Sequence, residues 1–258
     1  MNEAYVKHEF HNGIATVEFF HPQSNSLPGK LLDELTREIH AAGNDEFTKV
    51  IILRSAGEKA FCAGASFDEL ISIKNHGDGL EFFSGFAHVI NALRKCPQLI
   101  IGRIHGKCVG GGVGLAAAVD YAIATESAEI KLSELAIGIG PFVVGPAVER
   151  KIGVSAFMQL AIDAGMWRNA DWAKRKGLFA EVHSTTENMD EAIFRLALTL
   201  SHSSPEAMTE MKKIFWKGTE NWDQLLIQRA AISGRLVLSD FTRHAIEKFR
   251  NNKAERKA

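Results

Sequence analysis

Two glycine-bearing loops hold the residues in this sequence whose types and spacing could do chemistry. The first reads Ala60-Phe61-Cys62-Ala63-Gly64-Ala65-Ser66 and runs into a helix-like stretch, Phe67 to Ile73. The second reads Gly110-Gly111-Gly112-Val113-Gly114 and runs into Leu115 to Val119, again a helical pattern. Each follows a predicted strand, one ending at Leu53 and the other near Ile104. A helix start presents backbone N–H groups without intrahelical acceptors, and a partial positive charge. Glycine lets a ligand approach that backbone closely. Two such N–H groups aimed at one oxygen would form an oxyanion hole, where losing one donor costs about 3–4 kcal/mol of barrier. The plainer reading of each glycine is a turn or a close packing contact.

The second loop also admits another chemistry. Gly112-Val113-Gly114-Leu115-Ala116-Ala117 fits the G-x-G-x-x-A variant of the dinucleotide fingerprint, with Glu129 or Glu134 further on as the acidic partner. That reading makes the protein an NAD(P)-dependent oxidoreductase. Against it, the strand predicted after the helix, Tyr121 to Ala124, is very short, and the loop around Gly64 is left without a role. Cys62 reads as a small buried residue rather than a nucleophile. Asp68 and Glu69 suit the start of a helix, where anions are favoured. Trp167, Trp172, Trp216 and Trp222 read as core or subunit-contact residues.

The elements that must position these loops follow from periodicity. Tyr5 to Phe10 and Ile14 to Phe20 form a predicted hairpin around His11, Asn12 and Gly13. Pro28 opens a helix with Leu31, Leu32, Leu35, Ile39 and Ala42 on one face. Lys49 to Leu53 reads as a buried strand, Leu80 to Leu93 as a helix and Gln98 to Ile104 as a strand. This alternation predicts an α/β fold with mostly parallel pairing. From Val154 onward the pattern is largely helical: Val154 to Ala164, Met189 to Ser201, Pro205 to Trp216 and Trp222 to Leu236. Phe179 to His183 interrupts it as a short extended piece, and a soft boundary is placed near Gly153.

Composition narrows the function classes. The 30 basic and 31 acidic residues leave a net charge of -1, which does not point to nucleic acid as a partner. The basic run from Lys248 to Lys257 is broken by Asn and Glu and reads as a solvated terminal helix. Three cysteines without regular spacing predict no disulfide framework, and neither they nor the ten histidines show metal-ligand spacing. The N-terminus lacks a signal-peptide core, and no stretch approaches the roughly 18 apolar residues that span a bilayer. The expectation is a soluble, cytoplasmic protein with no membrane partner.

Taken in order, the segments resemble the crotonase (enoyl-CoA hydratase/isomerase) family over most of the chain. They are HPQSNSL, KAFCAGASFDEL, IHGKCVGGGVGLAAAVDYAIAT, KLSELAIGIGP and the ending SDFTRHAIEKF. The resemblance implies an α/β fold with a repeated ββα core and a helical C-terminal trimerisation region, divided here as 1–190 and 191–258. It implies an acyl-CoA thioester as ligand, with coenzyme A as part of the substrate and no separate cofactor, and assembly as a homotrimer or homohexamer. Asp120 falls on the family's recurring Cys/Val-Asp pair, and Ser66 stands where the family often has Asp.

Carried over position by position, the backbone N–H groups of Ala65 and Gly111 would hold the thioester oxygen as it becomes an enolate. Ala63, Gly64, Gly110, Gly114 and Phe142 would line the substrate site. The HPQSNSL loop and the strand before Ala60 would lie near the adenine and pantetheine of coenzyme A. The family's hydratases generally use two glutamates. One sits three residues after the middle glycine of GGG, which here is Gly114. The other matches Glu134, the catalytic residue this resemblance implies. Hydration needs water activation and protonation of the α-carbon, whereas one base can shift a double bond. A single glutamate among Leu132, Leu135, Ala136, Ile137 and Phe142, with its pKa raised by desolvation, suits that shuttle. The segment IGIGPF also looks more like the family's isomerases. The expected reaction is therefore 3-enoyl-CoA to 2-enoyl-CoA isomerisation. The alternatives are an enoyl-CoA hydratase (lyase) using another residue or an ordered water, and a family member that binds acyl-CoA without turnover. Read without the family, Glu134 would be a surface carboxylate at a helix end or in a salt bridge.

Overall fold

A computed structural model describes residues 3–255. The hairpin forms as expected from β1 (Tyr5–His11) and β2 (Ile14–Phe20), closed by Asn12 at φ 49° and Gly13 at φ 81°. Positive φ at both turn residues matches the twist of the two strands. α1 (Gly29–Asn44) starts after Pro28 and buries Leu31, Leu32, Leu35, Ile39 and Ala42, the face its spacing predicts.

The chain continues through β3 (Val50–Ser55), β4 (Ala60–Cys62), α2 (Phe67–Ser72), α3 (His76–Lys95), β5 (Leu99–Ile104), β6 (Lys107–Val109) and α4 (Gly111–Ala118). β7 (Tyr121–Thr125), β8 (Glu129–Lys131), a 3-10 turn (Glu134–Ile137) and α5 (Gly145–Ile162) follow. Two sheets result. The larger has the order β1-β2-β3-β5-β7-β10, where β10 is Glu181–His183, and is parallel from β2 onward. The smaller has the order β4-β6-β8-β9, where β9 is Arg168–Asn169. The pairs β3/β4, β5/β6 and β7/β8 each send one strand to each sheet, and each pair is followed by helix. This is the expected repeated ββα core.

Two expectations are corrected. The first loop was read from Ala60, but Ala60–Cys62 is a strand of the small sheet, and its partners β6, β8 and β9 were not foreseen. The boundary near Gly153 is a kink: Gly153 has φ 74° inside α5, and beyond it β9 and β10 return to the two sheets.

The remaining helices are α6 (Ala170–Arg175), α7 (Thr186–Ser201), α8 (Pro205–Phe215), α9 (Trp222–Leu236) and α10 (Asp240–Glu255). A division between residues 190 and 191 would pass through α7, whose Met189, Ile193 and Ala197 pack on Val50, Ile101 and Ile123 of the large sheet. Asp120 is a structural hub. It accepts bonds from the Ile100 N–H (2.8 Å) and Trp216 Nε1 (2.9 Å) and pairs with buried Lys212 at 2.8 Å, fixing α8 to the core. Trp216 and Trp222 meet edge to face, with centroids 5.8 Å apart. α9 crosses α3 so closely that a Cβ on Gly79 would lie 2.7 Å from Gly234 Cα. The expected basic terminal helix is α10 as far as Glu255, and its last residues lie outside the described ones. Among the described residues, no helix is long and apolar enough to cross a membrane, and no His, Cys, Asp and Glu group could hold a metal.

Candidate active site

β4 and β6 run parallel with Cys62 opposite Cys108, so the segments that follow them emerge side by side. Gly64 takes φ 87°, and a Cβ there would lie 2.9 Å from Val109 O and 3.5 Å from Gly111 N. The two glycine loops are thus in contact. Leu27 forms a parallel bridge with Ala65, donating its N–H to Gly64 O (2.8 Å) and accepting from Ser66 N (3.3 Å). Backbone groups alternate sides along an extended segment, so the Ala65 N–H points away from Leu27. It has no acceptor among the described residues. The Gly111 N–H, at the start of α4, has none either. Two free donors therefore come together beside one cavity, with the partial positive charge of the α4 start behind one of them.

That cavity measures about 550 Å³, and Ala63, Gly64, Ala65, Gly110 and Gly111 form one side of it. Glu134 and Phe142 also line it, so the structure brings together seven of the eight residues singled out from sequence. Gly114 is the exception. It is fully inside α4, and a Cβ there would lie 2.5 Å from Val144 Cγ1 and 2.8 Å from Val144 Cβ. Gly114 does not line the cavity, whereas Val144, packed against it, does. Gly112 is likewise packed against Cys62, so the fingerprint glycines Gly112 and Gly114 are packing positions inside a helix. No residue of the HPQSNSL loop lines the cavity; buried Asn25 ties that loop to Ala56 O (2.8 Å) and Ala60 O (2.9 Å). Glu69 Oε2 accepts the Gly29 N–H at 2.8 Å, and Ser66 caps α2 by accepting from the Glu69 N–H at 3.3 Å.

Glu134 begins the 3-10 turn after β8, and its backbone carbonyl accepts the Ile139 N–H at 3.0 Å. Gly110 at φ 52° leaves room above itself: a Cβ there would be 2.9 Å from Glu134 Oε1. Glu134 Oε2 is shielded from solvent and has no hydrogen-bond partner among the described residues. Burial pushes the Glu134 carboxyl up to about 7, opposed only by its own backbone N–H. A carboxylate held this way takes and returns a proton near neutral pH. Among the described residues it is the only carboxylate on the cavity wall, which carries no histidine, cysteine or tyrosine.

Sequence reasoning missed the roof of the cavity. Phe82, Phe83 and Phe86 of α3 line it, as do Ser233 of α9 and Ala245 and Lys248 of α10. α10 is seated by Gly138 at φ 80°, where a Cβ would lie 2.5 Å from Phe241 Cδ1. Lys131 also lines the cavity; a lysine three residues before Glu134 was the one local signal for it.

A two-sheet ββα core with paired backbone donors over an apolar cavity defines a crotonase-fold protein. The enoyl-CoA hydratase/isomerase family model matches residues 9–256, and the chain belongs to that family. Carnitinyl-CoA dehydratase of Proteus mirabilis (strain HI4320) is 30% identical over 194 residues, covering 75% of this chain and 73% of that protein. The peroxisomal Delta(3,5)-Delta(2,4)-dienoyl-CoA isomerase of Arabidopsis thaliana is 26% identical over 238 residues, covering 86% of this chain and 84% of that protein. A crystal structure of enoyl-CoA hydratase from Bacillus halodurans superposes with a TM-score of 0.87 at 23% identity, covering 95% of this chain and 99% of that one. An acyl-CoA thioester as substrate is consistent with this membership.

Proposed function

We propose that the protein isomerises 3-enoyl-CoA to 2-enoyl-CoA with Glu134 as its single acid/base. The observation that carries this reading is that Glu134 is the sole carboxylate on the wall among the described residues, while Val144 occupies the space beside Gly114. The Glu134 carboxylate removes a proton from the α-carbon. The electron pair moves into the thioester, and the resulting enolate oxygen accepts hydrogen bonds from the Ala65 and Gly111 N–H groups. Preorganised donors aimed at developing charge are the strongest contribution such a site makes. The protonated carboxyl then delivers its proton to the γ-carbon, the α,β double bond forms and the carbonyl is restored. The apolar walls exclude water, which keeps the proton on its carrier.

Hydration would also require a second group to activate water. Relatives with dehydratase and isomerase names both occur, so the base count favours isomerisation. The chain is further proposed to act as a homotrimer or homohexamer. Val154, Met158 and Ile162 lie four residues apart on α5 and are 57%, 51% and 67% exposed, an apolar stripe suited to subunit contact. A coupled assay on 3-hexenoyl-CoA and 2-hexenoyl-CoA tests the reaction. Isomerisation that disappears in folded Glu134→Gln supports it. Hydration of the 2-enoyl ester would replace it with the lyase reading, and binding without turnover of either would replace it with a binding role.

A further inference from the structure

Lys131 shares a mostly apolar wall with Glu134 and Lys248, and acid/base chemistry at Glu134 does not use it. It ends β8 opposite Val109 of β6, and its carbonyl accepts the Gly110 N–H at 2.9 Å. Its backbone is therefore bonded to the loop that carries Gly111. The side chain is half-buried on the cavity wall, and its Nζ lies 4.5 Å from the centroid of the Trp167 ring. Lys107 Nζ stands 4.7 Å from the same centroid. Lys107 has a carboxylate partner, Glu129, at 3.1 Å. Lys131 has no carboxylate partner among the described residues. An aromatic face holds a cation in place without neutralising it. Burial, and then the neighbouring Lys107, lower the Lys131 pKa, so an incoming anion would relieve both penalties.

We propose that Lys131 is a specificity residue that receives a carboxylate at the far end of the acyl group. The preferred ligands are then coenzyme A mono-thioesters of short dicarboxylic acids. This rests on the acyl-CoA reading of the cavity and names its substrate class.

Reach decides between the anions a coenzyme A ester carries. A lysine ammonium extends about 6 Å from its Cα, while an extended pantetheine puts the first phosphate about 15 Å from the thioester carbon. The Lys131 backbone touches the oxyanion loop, so its ammonium lies within the span of a short acyl chain and short of the pyrophosphate. Lys248, exposed on α10 at the cavity rim, is the cation placed to meet a solvated phosphate.

Calorimetric titration with adipyl-CoA, hexanoyl-CoA and free coenzyme A tests the proposal on the wild type, Lys131→Met and Lys131→Arg. The two esters match in length and differ by the terminal carboxylate. Wild type is expected to prefer adipyl-CoA. Lys131→Met should weaken adipyl-CoA roughly tenfold or more while leaving hexanoyl-CoA and coenzyme A within about twofold, and Lys131→Arg should retain the preference. Unchanged hexanoyl-CoA binding shows that the variant is folded. Equal weakening of all three ligands would assign Lys131 to the coenzyme and overturn the proposal, as would a wild type without preference. These saturated esters cannot be isomerised, so the result stands apart from the isomerase reading. If isomerisation fails, the binding preference remains, and the reverse also holds.

Discussion

Replacing Glu134 by Gln removes a charge and almost nothing else, so it reads how strongly burial opposes that charge. The carboxyl titrates at about 7 in the fold against 4.5 for a free glutamate, with desolvation as the leading cause. The folded state therefore binds this proton more tightly than the unfolded chain. Protonation stabilises the protein at low pH, and that contribution is lost as pH rises from the unfolded value through about 7. At about 1.4 kcal/mol per unit, wild type carries a penalty of roughly 3 kcal/mol by pH 8 and under about 1 kcal/mol at pH 5. Gln keeps the shape and has no such titration. The unfilled hydrogen bond at Oε2 affects both forms at every pH and cancels from the difference between pH values. The expected outcome is a variant more stable than wild type at pH 8, with the gap shrinking by about 2.5 kcal/mol at pH 5. Urea unfolding at fixed protein concentration, followed by tryptophan fluorescence at four pH values, measures it. A gap that does not change with pH would refute the desolvation argument, whatever the activity. In the wild type the same group should make kcat for isomerisation rise with pH through about 7, because the base must be ionised.

Three further outcomes follow from the packing. Gly114→Glu must push Val144 aside, because even a Cβ comes within 2.5 Å of it; a loss of about 3 kcal/mol or more and no gain of hydratase activity are expected in urea unfolding and 2-hexenoyl-CoA assays. Lys212→Met leaves the buried Asp120 carboxylate without its ion-pair partner and should cost about 3–5 kcal/mol, read by the same unfolding curves. Cys62, Cys96 and Cys108 are all buried and free, with burial pushing Cys62 to about 12, so a thiol reagent at pH 8 should label the native protein only as it unfolds.

Much of the fold was legible because its signals are local. α1 declared its buried face through the spacing of Leu31, Leu32, Leu35, Ile39 and Ala42, and Asn12-Gly13 marked the hairpin. The small sheet was not legible. Its strands β4, β6 and β8 are three residues each, too short to show an alternation, and they are defined by pairing across distant segments. Ala65 and Gly111 were reached through the family resemblance, which requires no particular side chain at either position, and the structure leaves both N–H groups, beside the cavity, without acceptors among the described residues. Gly114 misled because its environment is made by Val144, thirty positions on, and nothing in a glycine's own sequence context says what fills the space beside it. The phenylalanines of α3 looked like ordinary core, and helical spacing alone cannot separate a residue that faces the core from one that faces a ligand.

The seating of α10 on Gly138 ties the cavity to the order in which the chain is made. Phe241 meets a turn completed some hundred residues earlier, and Ala245 and Lys248 of the same helix line the cavity, so this part of the wall is synthesised well after Glu134 and the paired loops. Loop closure over that separation is slow compared with folding of the local ββα units. A nascent chain can therefore hold both sheets, the paired loops and Glu134 in place while the pocket is still open to water. Ligand affinity then reports arrival of α10, and an acyl thioester added to refolding protein would act as a stopwatch for that docking step.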